Sequence, residues 1–169
     1  MFCYNLSMNK QYIDDFYERC TTDKKCAIFA LSLPLFLISK DLTVKSEQFL
    51  KSDYDLLHTD IDVLASLYFK GENYTLSPTE LYDALIFSSG GMTKVLKKLQ
   101  DRELIKRDAV KNDKRKNLVC LTPKGIELIE EIMDNKASMI EKTFSVLDKK
   151  EKEKENLKSI LSKVLYSLN

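Results

Sequence analysis

The chain has 169 residues, enough for one domain with a real core or for a compact domain carrying helical extensions. It is 44% apolar and 31% charged, with only four glycines and three prolines, the composition of a helix-rich globular protein. The longest charge-free run, Cys26 to Ser39, is 14 residues long and contains Pro34. That is short of the roughly 20 apolar residues a bilayer requires, and the amino terminus lacks a basic region followed by an apolar run, so the expectation is a cytoplasmic protein without a membrane partner.

Residues 9–25 carry Tyr12, Ile13, Phe16, Tyr17 and Cys20 at near-helical spacing, which predicts a short amphipathic helix broken or re-capped at Thr21-Thr22-Asp23. Residues 25–52 predict one helix disturbed at Pro34, where the ring removes a backbone donor. Thr59-Asp60-Ile61-Asp62 offers a threonine cap with a carboxylate three residues on, opening a helix that Gly71 stops after Lys70. Ser77-Pro78-Thr79-Glu80 is a capping box with proline at the first helical position, starting a short helix over Leu81 to Leu85. Ser88-Ser89-Gly90-Gly91 interrupts, and a third helix runs from Met92 to about Arg102.

The period then changes. Residues 105–110 and 117–122 are short β-tolerant runs joined by the charged loop KNDKRK, which predicts a β-hairpin. Thr122-Pro123 caps a helix carrying Ile126, Ile129, Ile132, Met133, Ile140 and Phe144 and reaching about Leu147. The last helix holds Leu157, Ile160, Leu161, Val164, Leu165 and Leu168, the stripe of a helix packed on a partner.

Net charge is only +1, but its distribution is uneven. Residues 94–116 contain ten basic and four acidic residues, a net +6, which leaves −5 for the rest of the chain. A basic charge focused in one segment is the footprint of a phosphate-facing surface. Three short helices followed by a basic hairpin make a mainly α (α+β) winged helix-turn-helix, with a helix sized for a major groove and a hairpin tip able to reach the adjacent minor groove. In the third helix Met92, Val95, Leu96 and Leu99 are expected to face inward. Ser88, Ser89, Thr93, Lys94, Lys97 and Lys98 are expected to face outward. Gly90 and Gly91 either bring backbone N–H groups to a phosphate or make a tight turn.

On these residues the segment 59–125 resembles the MarR family of bacterial regulators. The run LSPTELYDALIFSSGGMTKVLKKLQDRELIKR corresponds to its helix-turn-helix, and NDKRKNLVCLTPKG to its wing. The resemblance implies a homodimeric repressor that binds double-stranded DNA at a pseudo-palindromic operator, without a cofactor, and that a small-molecule effector or an oxidant releases. It divides the chain into helices 1–57, a DNA-binding domain 58–125 and helices 126–169, the flanking parts forming the dimerisation region. The family usually has two arginines after the wing aspartate. Here Asp113 is followed by Lys114, Arg115 and Lys116, so Arg115 is the residue expected to enter a minor groove, held by Asp113. Lys111 completes the basic tip; the alternative is a merely soluble hairpin end.

Four cysteines, Cys3, Cys20, Cys26 and Cys120, match no zinc ribbon and contain no CxxC spacing. The resemblance makes Cys20 and Cys26 candidate oxidant sensors, with Lys24 and Lys25 positioned to lower the thiol pKa. The competing reading, that both are small buried apolar residues, is preferred. His58 is the only histidine and has no cysteine cluster beside it, so no metal site is expected. With no P-loop, GxGxxG or HExxH, an enzyme is not expected. The rival function is a winged helix that binds protein, which exposed apolar residues rather than lysines would favour.

Overall fold

A computed structural model describes residues 10–84, 91–110, 113–147 and 152–168, with only the backbone described over 108–110 and 113–117. The chain divides into two compact units, Met1–Leu57 and His58–Asn169.

In the first unit α1 (Lys10–Thr22) packs on α2 (Ala27–Tyr54). The hydroxyls of Thr21 and Thr22 donate back to the carbonyls of Glu18 (2.6 Å) and Arg19 (2.9 Å) at the end of α1, the expected break. Pro34 does not divide α2, which runs unbroken for 28 residues. Proline's fixed φ is itself helical, so the helix loses one hydrogen bond there without losing its course. By length and composition α2 could cross a membrane, which the charge-free count did not anticipate. Its charge-free part, 27–39, is only about 20 Å long at 1.5 Å per residue, two-thirds of a bilayer core. Ile28, Phe29, Leu31 and Phe36 are more than half exposed in the single chain.

The second unit is built around α3 (His58–Lys70), whose Ile61, Val63, Leu64 and Leu67 are buried. The helix begins one residue before the predicted cap, so Thr59 lies inside it. Gly71 ends it for a steric reason rather than a left-handed one: a Cβ there would sit 2.6 Å from the Leu67 carbonyl oxygen and the Thr75 nitrogen. β1 (Thr75–Leu76) follows, then α4 (Pro78–Ala84), opened by the predicted capping box. The Ser77 N–H donates to Glu80 Oε2 at 2.8 Å, and the Glu80 N–H to Ser77 Oγ at 3.3 Å.

After α5 (Met92–Asp101) come β2 (Ile105–Val110) and β3 (Asp113–Leu121), an antiparallel pair with a register shift at Ala109/Val110. β3 starts four residues earlier than predicted. β1, absent from the sequence prediction, pairs with β3 through Thr75–Cys120 and Leu76–Val119, giving the order β1-β3-β2. A two-residue strand carries too little periodicity to announce itself. Thr122 caps α6 (Pro123–Thr143), accepting the Gly125 N–H at 3.1 Å. α6 stops four residues before the predicted end, and α7 (Lys152–Tyr166) follows with no residue buried. Ile129 and Ile132 of α6 close the core over α3, and the Tyr68 hydroxyl donates to Glu130 Oε1 at 2.9 Å.

The turn from α5 to β2 is a Schellman arrangement. The Glu103 N–H donates to the Gln100 carbonyl and the Leu104 N–H to that of Leu99, both at 2.9 Å. Glu103 takes the left-handed conformation this requires, at φ 60, where a side chain costs about 1–2 kcal/mol. Glu103→Gly should therefore raise stability by about 0.5–1 kcal/mol, the strain relief offset by the looser unfolded chain. Urea denaturation checks this, and an unchanged or lower midpoint would contradict it.

Candidate nucleic-acid interface

α5 is the best-patterned helix of the chain. Met92, Leu96 and Leu99 are buried and Val95 half-buried, while Thr93, Lys94 and Lys97 are exposed, as predicted from spacing alone. Ten residues make a rod of about 15 Å, short enough to lie in a major groove. Gln100 shares the exposed face, seven positions beyond Thr93 and three beyond Lys97. That spacing would have identified it in the sequence. Its amide has the donor–acceptor pair that matches an adenine edge.

Lys98 departs from its expected place. Its Nζ lies 2.7 Å from Oδ2 of Asp60 in the first turn of α3, and its side chain is 34% exposed against 1% for Asp60. Among the described residues it is a flank residue of α5 tied to the core, not a member of the outward row.

Gly91 precedes α5 with φ 83, a left-handed conformation that favours glycine, and an added Cβ would meet nothing within 4 Å. The turn reading of this glycine is the one its geometry supports. Ser88, Ser89, Gly90 and Lys111 lie outside the described residues. Asp113, Lys114, Arg115 and Lys116 form the start of β3 by backbone, their side chains being outside the description. Lys106 and Arg107 on β2 are exposed, extending the basic surface from α5 along the wing.

The carboxyl end of α5 is bound to the start of α6. The Thr122 hydroxyl donates to the Glu103 carbonyl at 2.7 Å, the Thr122 N–H to the Leu104 carbonyl at 3.1 Å, and Lys124 Nζ to the Arg102 carbonyl at 3.0 Å.

The cysteine pair sits apart from this surface, in the first unit. Cys20 is buried and Cys26 half-buried. The Cys26 thiol is pushed above its ordinary pKa by burial, by the Asp23 carboxylate and by its hydrogen bond to Asp23 Oδ2 at 3.6 Å, with the Cys20 thiol adding to the effect. Lys24 and Lys25 were expected to lower it; the acid beside the thiol outweighs them. Iodoacetamide should therefore label Cys26 more slowly at pH 7.5 than an unfolded-chain cysteine, and Asp23→Asn should speed labelling. Equal rates in wild type and variant would contradict this assignment. No group of three or more metal-binding side chains occurs among the described residues.

The family model for the transcriptional regulator SarA/Rot matches residues 45–132, just over half the chain. The chain is 35% identical over 95 residues to the HTH-type transcriptional regulator MhqR of Bacillus subtilis, covering 56% of this chain and 63% of MhqR. It is 32% identical over 98 residues to the transcriptional repressor MprA of Escherichia coli K12, covering 58% of this chain and 54% of MprA. The chain thus spans less than two-thirds of the length of either. Among solved structures, the MepR–DNA complex of Staphylococcus aureus superposes with a TM-score of 0.64 at 26% identity, over 82% of this chain and 98% of MepR.

Proposed function

Because this chain belongs to the SarA/Rot family of transcriptional regulators and carries a MarR-type winged helix, not an enzyme's active site, we propose that it is a homodimeric, sequence-specific DNA-binding repressor released by a small ligand. The observation that carries this reading is the exposed row Thr93, Lys94, Lys97 and Gln100 on a helix whose other face is anchored in the core. Thr93 and Gln100 would read base edges and Lys94 and Lys97 would neutralise phosphates. Arg115 would enter the minor groove from the wing, with Asp113 orienting it. The MepR–DNA complex and the name of MprA support DNA binding and repression respectively.

A dimer doubles the DNA site and covers apolar surface that a single chain leaves bare. Ile160, Val164 and Leu165 of α7 are more than half exposed, as is the apolar row on α2. Light scattering without detergent should give twice the 19.6 kDa chain mass. A monomer, or a protein soluble only with detergent, would defeat the dimer and reopen a membrane role for α2. Release by an oxidant at Cys20 and Cys26 is the weaker trigger, since a protonated thiol is a poor nucleophile.

The deciding experiment is an anisotropy titration against a labelled fragment of the upstream DNA at two salt concentrations, with scrambled DNA as competitor. Tight, salt-dependent binding that survives the competitor supports the reading. Binding that scrambled DNA abolishes favours a protein-binding winged helix instead.

A further inference from the structure

The Lys98–Asp60 pair joins two helices 38 residues apart in sequence and involves a carboxylate that is 1% exposed. Around it Ile61 and Val63 of α3 and Leu96 and Leu99 of α5 are buried. Apolar contacts of that kind hold the two helices together but are non-directional, and they tolerate a roll of one helix about its axis. A charge-assisted hydrogen bond does not, because it weakens steeply with distance and misalignment.

We propose that Lys98 and Asp60 are positioning residues that fix the roll of α5 and so decide which of its side chains face DNA. This rests on the reading of α5 as the DNA-facing helix. Consecutive helical residues are about 100° apart, so directing Lys98 towards Asp60 turns its neighbour Lys97 to solvent. Rolling α5 to bring Lys98 to a phosphate would carry Lys97 away from the outward row. It would also separate a buried carboxylate from its cation, which is strongly unfavourable. Lys98 therefore contributes to recognition through geometry, not through counterion release.

The test is a salt series of anisotropy titrations on full-length wild type, Lys97→Ala, Lys98→Met, Lys98→Arg, Asp60→Asn and the double variant Asp60→Asn/Lys98→Met, each against upstream and scrambled DNA. Lys97→Ala should reduce the log–log salt slope by about 0.9, the signature of one lost phosphate contact. Lys98→Met should leave the slope unchanged. It should weaken upstream binding about tenfold and erode discrimination against scrambled DNA. Asp60→Asn should reproduce that pattern, the double variant should be no worse than either single one, and Lys98→Arg should restore binding and discrimination.

A slope reduced by Lys98→Met as by Lys97→Ala, or wild-type binding by Asp60→Asn, would overturn the inference while leaving the DNA-binding reading intact. A wild type that binds neither DNA would overturn both. Should circular dichroism show the Asp60 and Lys98→Met variants unfolded, reductive methylation of free wild-type protein decides. Lys98 should react several-fold more slowly than Lys97, and equal rates would overturn the pair.

Discussion

Gly125→Ala is expected to lower the thermal midpoint by about 4–8 °C, even though alanine is the better helix former. In isolation the exchange would gain about 1 kcal/mol inside a helix. Here an added Cβ would stand 2.1 Å from the carbonyl oxygen of Leu104 and 3.3 Å from Leu121 Cδ2. The first of these is backbone, and it already accepts the Thr122 N–H, so it has no rotamer by which to withdraw. Overpacking of this severity lies at or above the upper end of the usual range of about 1–3 kcal/mol, leaving a net loss of about 2 kcal/mol. For a chain of this size each kcal/mol moves the midpoint by about 2–4 °C. Calorimetry on wild type and variant measures it directly. A midpoint within one degree of wild type would mean that α6 can slide at its first turn and that the close approach is not a constraint.

The second large effect concerns binding. Lys94→Ala/Lys97→Ala should reduce the salt slope of DNA binding by about 1.8, since each phosphate contact contributes about 0.9. Upstream and scrambled DNA should be weakened alike, because phosphate contacts carry no sequence information. Both side chains are exposed, so folding should be untouched. Thr93→Ala is the contrast: its slope should remain and its preference for upstream DNA should fall. A double-lysine variant with wild-type slope would place the DNA contacts elsewhere than α5.

What was legible in the sequence divides by distance along the chain. The capping box at Ser77–Glu80, the Thr122–Pro123 cap and the two faces of α5 are written in residues three to seven positions apart, and the structure has them as read. The misreadings need partners far away. Asp60 looked like a carboxylate at a helix start, and only the fold brings Lys98 to it. β1 exists because β3 offers it an edge, and β3 lengthens because the hairpin twists through a register shift. Pro34 looked like a break because a local rule was applied where the continuing helix overrides it. At Cys26 the two lysines next in sequence were weighed, whereas Asp23, three residues back across a turn, is the group that touches the thiol.

The clamp between Thr122, Glu103 and Leu104 makes the end of α5 and the beginning of α6 a single rigid elbow. α6 extends 21 residues, about 31 Å, beyond that elbow, so it is a lever with its fulcrum at the wing. A tilt of a few degrees imposed at the far end of α6 must turn α5 by a similar angle. Any molecule that shifts the distal turns of α6 therefore acts on the spacing of the two reading helices in a dimer without approaching either of them.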